Sequence, residues 1–565
     1  METHTTNYPG PRFSKILRSA SDCNNRAIAK AASIAIECLT AVEGSDSIAN
    51  QQLSVCDESS AIVASHTDLQ LMCQLDKVLA EIIDTCFNAR IRAKLKEAST
   101  INASWIKDFF EDSPELRIET SDYIQAHSST SFPWNSVLPA AEGIALLYNF
   151  SPFQDTGATV ASKRIRNMGK TVDVIACSFL HKKKQDTTVE TIAAPYVGSR
   201  YFLPLAPSWA SWEPFSTFTL KANDYAEKLL EENPKYDFLY TRAMWAPSHF
   251  AGAFFKLNHS HIRWIAEFSD PLSLDVEGLP RGTAVTDDDL SRFFISKIAE
   301  QFPDLDQEKI TVFSLAELLP YAFADELLFT NSHQLETMLE HIPSIALKER
   351  VQEHARVSNH PTLPREYYGI ETSDYKVNAD VVNLGYFGEF YSSRSITEVT
   401  AAMRTLPDAL AKRVHLHVFT NYIPAGEGNR RPRNLSKKQF DDLVERAYHG
   451  VGAYGIEDRV TFNPSLPYLK FLATTEKLDY LIVNDAQSGQ HHEINPYLPS
   501  KWSDYAGSSA KTWGFIEDGS VLSTKPIDVK TPIGDALSAR VQLWDIITEK
   551  FPECKDLLGD DLNGN

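Results

Sequence analysis

The chain has 565 residues, more than a single hydrophobic core organises, so it should fold as several domains. Hydrophobic residues make up 43% of the chain and charged residues 23%, which is the balance of a globular protein and excludes the disordered and membrane-spanning classes. The formal net charge of −20 argues against nucleic acid as the main partner, because affinity for nucleic acid comes largely from Lys and Arg on phosphate.

Cysteine usage and the first residues indicate the compartment. The seven cysteines are scattered, odd in number and without a Cys-x-x-Cys pair, which favours a reducing environment. No apolar run approaches the roughly 18 residues of a membrane span, and residues 1–10 lack the pattern of a signal peptide. We therefore expect a cytoplasmic protein, and the basic runs 182–184 and 430–433 leave peripheral contact at the inner membrane face open.

Helical periodicity dominates the first part of the chain. Apolar residues recur every three or four positions over residues 26–42 and 68–98, on either side of a polar loop at 44–60. The pattern predicts an α-helical extension over residues 1–135. This extension either packs on the rest of the protein or on a second copy, which would make a homo-oligomer, or it recruits another component.

An alternation of strands and helices begins near Pro133. Strand, loop, helix and strand follow one another as in a βαβ unit, which implies a parallel sheet: residues 143–150, 151–157, 158–168 and 171–178. More apolar runs come later in the same half: residues 236–240, 261–268 and 326–330. These elements predict one doubly wound domain over residues 136–375.

The same alternation starts again in the second half. Its predicted strands are residues 381–386, 414–419, 460–462 and 480–483, and its predicted helices are residues 395–406, 437–450 and 467–475. We predict a second doubly wound domain over 376–540, followed by a C-terminal helix and tail over 541–565. The fold class is therefore α/β, with two tandem Rossmann-like domains and a ligand cleft between the carboxyl ends of their sheets.

Two segments of the first half have residues suited to binding. The loop around Asp155 puts a turn and Gly157 directly before a helix, where backbone amides hold an anion or a sugar hydroxyl, although plain turn geometry has the same pattern. His249 follows a strand and starts a helix, so we expect it in the cleft wall as a hydrogen-bond donor, acid or base. A His at this position also serves as a cap or a packing residue.

Two segments of the second half have chemistry suited to a nucleotide. A strand runs into a glycine turn at Gly388, and Arg394 follows at the next helix; glycine lets a ligand approach the backbone, and Arg supplies paired donors to phosphate. Lys501 and Asp504 share a helical face, so a cation for phosphate and a carboxylate for ribose hydroxyls point the same way. A surface ion pair has the same spacing.

These segments occur together and in order, and as a set they resemble a known family. Four of them resemble the donor half of GT-B glycosyltransferases, specifically the large retaining family four. These segments are Gly385-Tyr-Phe-Gly388-Glu-Phe-Tyr391-Ser-Ser-Arg394, Phe462-Asn-Pro464-Ser-Leu-Pro467-Tyr468, Asp479-Tyr-Leu-Ile-Val-Asn484-Asp485 and Pro499-Ser500-Lys501-Trp-Ser-Asp504-Tyr505. Two earlier segments resemble the same family's acceptor domain: Phe153-Gln154-Asp155-Thr156-Gly157 and Glu267-Phe-Ser-Asp270-Pro271. The helical extension lies outside this resemblance.

The resemblance implies a role for each matching residue. In the donor half, Arg394 and Lys501 would hold the diphosphate, and Asp504, in place of the family's usual Glu, would bind the ribose. Gly388 would allow close backbone approach, and Ser500 and Tyr505 would shape the pocket. In the first half, His249 would orient the transferred sugar, and Asp155 and Gly157 would face the acceptor. The family's second Glu falls on Pro496 here, so Glu493 or a backbone amide would replace it.

The reaction implied is the retaining transfer of a hexose from a nucleotide sugar to a glycoconjugate, glycolipid or polysaccharide acceptor. The leaving diphosphate would assist attack on the same face, and neither a cofactor nor a metal is expected, since no Asp-x-Asp motif stands in a suitable place. Two alternatives stay open: a GT-B nucleotide-sugar epimerase or phosphorylase-like enzyme, and a catalytically degenerate assembly subunit of a glycan-synthesis complex. Pro496 is the best support for the degenerate subunit.

Overall fold

The computed structural model describes residues 10–43, 61–275, 277–390, 395–423, 436–488 and 492–557. The chain forms two compact units. One consists of Met1–Ala141, Ile165–Thr171 and Thr191–Gly198, and the other of Glu142–Arg164, Val172–Glu190 and Ser199–Asn565. None of the described helices is both long and apolar enough to cross a membrane.

The first unit is helical, as predicted for the N-terminal extension. Its helices are α1 (Gly10–Ser21), α2 (Arg26–Glu43), α3 (Ala61–Thr85), α4 (Ala89–Ala103), α5 (Trp105–Asp112) and α6 (Arg117–His127). Their apolar faces share one core that includes Leu75 and Leu79. The helical periodicity over residues 68–98 belongs to two helices, because the Asn88 side chain accepts hydrogen bonds from the amides of Arg90 and Ile91, at 3.0 and 3.2 Å, and so starts a new helix.

The second unit contains two parallel sheets. The first has seven strands in the order β3-β2-β1-β4-β5-β6-β7: β1 (Gly143–Leu147), β2 (Val172–Cys177), β3 (Val197–Leu203), β4 (Phe238–Ala243), β5 (Arg263–Phe268), β6 (Glu326–Phe329) and β7 (Ala355–Val357). Every residue of β1, β2 and β4 is buried, which explains why apolar residues predominate in them.

The helices between these strands complete the first doubly wound domain. They are α7 (Thr156–Met168), α8 (Thr187–Ala193), α9 (Trp212–Glu232), α10 (Pro247–Asn258), α11 (Asp289–Gln301), α12 (Val312–Phe323), α13 (Ser332–Glu340) and α14 (Ile345–His354). Side-chain caps start several of them; Asp288 and Thr311, for example, form capping boxes at α11 and α12.

The second sheet has six parallel strands in the order β10-β9-β8-β11-β12-β13: β8 (Val382–Phe387), β9 (Val414–Thr420), β10 (Val460–Pro464), β11 (Tyr480–Asn484), β12 (Lys511–Ile516) and β13 (Val529–Pro532). Its helices are α15 (Thr397–Arg404), α16 (Asp408–Ala411), α17 (Lys437–Gly450), α18 (Tyr468–Thr475), α19 (Ser500–Tyr505) and α20 (Ala536–Lys550). The terminal helix α20 shares the core of this domain through Leu543 and Ile547.

The strand orders show where a ligand should bind. The chain reverses direction across the first sheet between β1 and β4, and across the second between β8 and β11. Ligands of open α/β sheets bind at the carboxyl ends of the strands that flank such a reversal. The predicted fold class, α/β with two tandem Rossmann-like domains after a helical extension, is confirmed; the boundary at residue 375 stays a prediction.

Candidate functional site

A cleft of about 650 Å³ lies at the carboxyl ends of both sheets. From the first domain the lining includes Asp155 and Lys163, which follow β1, Arg242 within β4, and Asp270 after β5. The second domain lines it with residues that follow β8, β9, β10 and β11, among them Gly388, Ser500, Lys501, Asp504 and Tyr505. This volume is typical of a site for a small molecule or cofactor.

Asp504, in α19, is the most tightly held carboxylate on the second-domain side. Its Oδ1 accepts hydrogen bonds from Lys163 Nζ at 2.7 Å and from the Tyr468 hydroxyl at 2.6 Å. Its Oδ2 has one cation nearby, Lys501 Nζ at 3.6 Å. Burial by itself raises the pKa of Asp504, but the ammonium groups of Lys163 and Lys501 outweigh burial and lower the pKa below its usual value. Asp504 is therefore ionised.

Lys163 comes from α7 of the first domain, and sequence reasoning did not identify it. Its side chain is only 1% exposed, and its Nζ also donates to Ser503 Oγ at 3.0 Å. The sequence held one signal, a lysine among the buried positions Val160 and Ile165 of a helix, because a buried lysine requires a partner. The partner itself is 341 positions away in the sequence.

Lys501 is the cation best placed to meet a ligand from the second domain. Its side chain is 37% exposed, lines the cleft, and has its ammonium group 4.5 Å from the centre of the Phe471 ring. Within the described ranges, its one carboxylate contact is the 3.6 Å approach to Asp504. A contact this long leaves the ammonium group able to bind an anion.

Gly388 ends β8 at the cleft, as predicted. Its φ of +154° is a conformation that residues with a Cβ rarely adopt, and its amide donates to the Phe419 carbonyl at 3.0 Å. Arg394, the predicted second phosphate ligand, lies outside the described residues. Ser500 starts α19 at the cleft wall, and the buried Tyr505 hydroxyl accepts a 3.4 Å hydrogen bond from the Phe387 amide.

Asp155 lies on the opposite wall and has a partner for each oxygen. Its Oδ1 accepts from the Gly157 amide at 2.7 Å, and its Oδ2 is ion-paired with Lys183. Gly157 has no room for a side chain, since a Cβ would stand 2.9 Å from both Asp155 Oδ1 and Met244 Sδ. Gly157 therefore shapes the turn that presents Asp155 and is not itself part of the cleft lining.

His249 is not in the cleft wall, contrary to prediction. It lies in the first turn of α10 and is fully buried; its Nδ1–H donates to the Ala316 carbonyl at 3.1 Å, and its ring packs on Phe268 at 4.8 Å. Burial lowers the pKa of His249 to about 4, so the ring is neutral. The first turn of α10 faces α12, which makes His249 a packing residue.

Glu493 is also displaced from its predicted place. It is exposed and does not line the cleft. The residues after it are fixed instead: the Asn495 side-chain Nδ2 donates to the Ala486 carbonyl at 3.0 Å, and the Pro496 carbonyl accepts from Asn331 Nδ2 at 3.0 Å. These bonds hold the segment with Glu493 on its solvent side.

Glu267, at the end of β5, forms a buried charge cluster behind the first-domain wall. Arg164 donates to both of its oxygens, at 3.1 and 3.3 Å, Arg242 Nε donates at 3.3 Å, and the Tyr240 hydroxyl donates at 2.6 Å. Burial by itself raises the pKa of Glu267, but the two guanidinium groups and the hydroxyl lower it to about 2. No oxygen of Glu267 is left for a ligand.

Asp186 forms a shared cap for one helix of each domain. Its Oδ1 accepts from the Thr188 amide at 3.0 Å, at the start of α8, and its Oδ2 accepts from the Tyr468 amide at 2.7 Å, at the start of α18. Thr188 Oγ1 accepts from the next amide of α18, Leu469, at 3.1 Å. One carboxylate and one hydroxyl thus join the two domains at the edge of the cleft.

The described residues contain no cluster of three or more His, Cys, Asp or Glu side chains arranged to hold a metal ion. No protein-family model matches the chain, and no curated protein does.

Solved structures to which the chain is similar include enzymes that handle sugars. Sucrose-phosphate synthase from Thermosynechococcus elongatus shares 13% identity over 74% of this chain and 99% of its own, with a TM-score of 0.40. The α,α-trehalose-phosphate synthase (UDP-forming) from Burkholderia xenovorans shares 9% over 74% and 95%, with a TM-score of 0.43. A UDP-N-acetylglucosamine 2-epimerase shares 9% over 73% and 91%, with a TM-score of 0.39. Identities this low leave the activity to be argued from this chain's own residues.

Proposed function

We propose that this chain is a glycosyltransferase that takes its sugar from a nucleotide-sugar donor bound by the second domain. One observation carries the proposal: a partly exposed ammonium group, a buried ionised carboxylate and a glycine turn meet at one end of the cleft, in Lys501, Asp504 and Gly388. The ammonium group suits a diphosphate, the carboxylate suits a ribose hydroxyl, and the glycine allows a ligand to approach the backbone closely.

The donor would lie along the ends of β8 and β11. Lys501 would bind the diphosphate, together with Arg394, and Asp504 would accept a hydrogen bond from a ribose hydroxyl. Positive charge at the diphosphate stabilises the negative charge that develops there as the bond to the sugar breaks, and fixed placement supplies much of the remaining acceleration.

The transfer itself would retain the configuration of a hexose. The bond between the anomeric carbon and the diphosphate oxygen breaks, and its electron pair stays on the diphosphate. The acceptor hydroxyl oxygen bonds to the same face of that carbon, and its proton passes to the departing phosphate oxygen. The acceptor, a glycan or glycolipid, would enter along the first-domain wall beside Asp155 and Lys183.

A second candidate function is favoured by one observation. Pro496 stands where a carboxylate is expected, and the nearby Glu493 is exposed and outside the cleft lining. A chain that binds nucleotides weakly or not at all, and acts as a non-catalytic subunit of a glycan-synthesis complex, would need no carboxylate there.

A thermal-shift screen against UDP, GDP and ADP and their common sugar conjugates separates the two candidates. A ligand that binds only the folded protein raises its melting temperature. We expect a rise with one nucleotide series, followed by release of that nucleoside diphosphate only when a glycan or glycolipid acceptor is present. Release without acceptor would indicate hydrolysis, conversion of the nucleotide sugar to its epimer without net release would indicate epimerisation, and no rise with any nucleotide would favour the non-catalytic subunit.

A further inference from the structure

The two oxygens of Asp504 have different surroundings. Oδ1 accepts two short hydrogen bonds, from Lys163 Nζ at 2.7 Å and from the Tyr468 hydroxyl at 2.6 Å. Within the described part of the chain, Oδ2 has only Lys501 Nζ nearby, at 3.6 Å. The carboxylate is thus fixed through one oxygen, and the other can accept a hydrogen bond from a ligand.

Lys163 lines the cleft, but its ammonium group is already bound by protein partners. Its side chain is 1% exposed, and both of its polar contacts, Asp504 and Ser503, belong to α19. A buried ion pair adds little net stability compared with apolar residues of the same size, because both ions lose their hydration. The Lys163–Asp504 ion pair is costly to bury, and it leaves Oδ2 of Asp504 without a hydrogen bond from either donor to Oδ1. Ligand binding explains such a pair better than stability does.

We infer that Lys163 is a positioning residue for ribose recognition by Asp504. This inference rests on the proposed function. Lys163 orients the carboxylate so that Oδ2 faces the cleft. It also supplies the counter-charge of the carboxylate, which leaves the Lys501 ammonium group available for the diphosphate. Without Lys163, the carboxylate would draw Lys501 inward, because a carboxylate in a poorly hydrated site attracts the nearest cation strongly.

The position of Lys163 makes donor binding depend on the first domain. Helix α7 begins at Thr156, directly after Asp155, so one helix runs from the predicted acceptor loop to the carboxylate in the other domain. A ribose would therefore be recognised fully only while α7 and α19 are in contact. Donor specificity is then a property of the assembled cleft and not of the second domain alone.

The test compares ribose with 2′-deoxyribose and 3′-deoxyribose ligands. The Kd of wild-type protein is measured by calorimetry for UDP, GDP and ADP, and then for the 2′-deoxy and 3′-deoxy forms of the tightest binder. We expect wild type to prefer the ribose form over at least one of these by about tenfold or more, the size of a hydrogen bond to a charged acceptor. Lys163→Met should reduce that ratio to about one to two.

Lys525→Met is the matched control. Lys525 also joins the two domains, since its Nζ donates to Asn359 Oδ1 at 2.5 Å, but it does not touch Asp504 or line the cleft. Its loss should leave the ribose-to-deoxyribose ratio unchanged. A general loosening of the domains would instead lower the ratio in both variants and would overturn the specific role of Lys163.

The outcomes separate this inference from the proposed function. If wild type binds none of the three nucleoside diphosphates, the proposed function fails and the inference fails with it. If wild type discriminates and Lys163→Met discriminates equally, only the inference fails. Should Lys163→Met not fold, Tyr468→Phe, which removes the other donor to Oδ1, is expected to reduce the ratio in the same way, and an unchanged ratio there overturns the inference.

Discussion

Two buried carboxylates at the ends of the two sheets differ in what they leave open. Glu267 in the first domain and Asp504 in the second both have lowered pKa values, and cations hold both in place. Both oxygens of Glu267 are occupied by Arg164, Arg242 and Tyr240, whereas, within the described residues, Oδ2 of Asp504 has only the 3.6 Å approach of Lys501 Nζ. A fully satisfied buried charge organises structure, and a charge satisfied on one side is prepared for a ligand.

The largest expected effect is the loss of stability when the buried carboxylate of Glu267 is removed. Glu267→Ala leaves two guanidinium groups buried without a counter-charge, so the free energy of unfolding should fall by about 3–5 kcal/mol. Urea denaturation followed by circular dichroism measures the change. Glu553→Ala, which removes an exposed partner of Arg413, is the control and should cost no more than about 1 kcal/mol. A loss from Glu267→Ala as small as that of the control would mean that the cluster does not organise the fold.

The next largest effect is the loss of nucleoside diphosphate affinity when Lys501, beside Asp504, is removed. Lys501→Ala should weaken nucleoside diphosphate binding by about 10- to 100-fold, since one charge-assisted contact to phosphate is lost. Stability should change little, because the side chain is partly exposed. Lys511→Ala provides the control, as Lys511 is exposed and paired with Glu549 instead of lining the cleft. Equal affinity in the Lys501 and Lys511 variants would remove Lys501 from the site.

A pH series sharpens the comparison in the first domain, where His249 packs near Glu267. Burial holds the pKa of His249 near 4, below its value of about 6.5 in an unfolded chain. The unfolded state therefore binds the extra proton, so this contribution to stability is complete above about pH 6.5 and is lost as pH falls toward 4. His249→Gln should lower the slope of unfolding free energy against pH in this window by about 1.4 kcal/mol per pH unit.

Part of that slope should remain in the His249 variant. Burial also lowers the pKa values of His360 and His417, each to about 3, so their unfolded-state protonation acts with the same sign. An unchanged slope in His249→Gln, measured by urea denaturation between pH 4 and 7, would show that His249 does not titrate as a buried neutral ring.

The smallest expected effect belongs to Glu493. It is exposed and outside the cleft, so Glu493→Ala should change the Kd of nucleoside diphosphates and their sugar conjugates by less than about twofold. Calorimetry on the same ligands as above measures it. A loss that appears only with the sugar conjugate would restore Glu493 as the group that meets the transferred sugar.

Most of the central strands could be predicted from the sequence because both of their faces are covered. A strand such as β1 is buried at every position, and a continuous apolar run results. The edge strands β3, β7 and β13 escaped prediction, since β3 is buried only at its two ends, β7 at none of its residues and β13 only at Thr531. The central strand β12 escaped it too, although only its first residue is exposed. Edge strands that are partly exposed contain polar and apolar residues without a clear pattern, so their sequences do not differ from those of loops.

The candidate site shows the same limit. Lys501 and Asp504 could be predicted together because their spacing in one short helix places them side by side. His249 was misplaced because the start of a helix does not specify which neighbouring element the side chain faces. Lys163 was missed because its partner belongs to another domain, and pairing over that sequence distance depends on tertiary packing alone.

The shared cap at Asp186 has a consequence for how a ligand would enter the cleft. Any widening of the cleft at this edge uncaps α18 by removing the acceptors of the Tyr468 and Leu469 amides together. Two caps lost at about 1 kcal/mol each would keep a widened form at a few per cent of the molecules. Substrates that enter only through that form would associate more slowly than the usual range of about 10⁵–10⁷ M⁻¹s⁻¹. Loss of the Asp186 carboxylate would then speed both substrate entry and product departure.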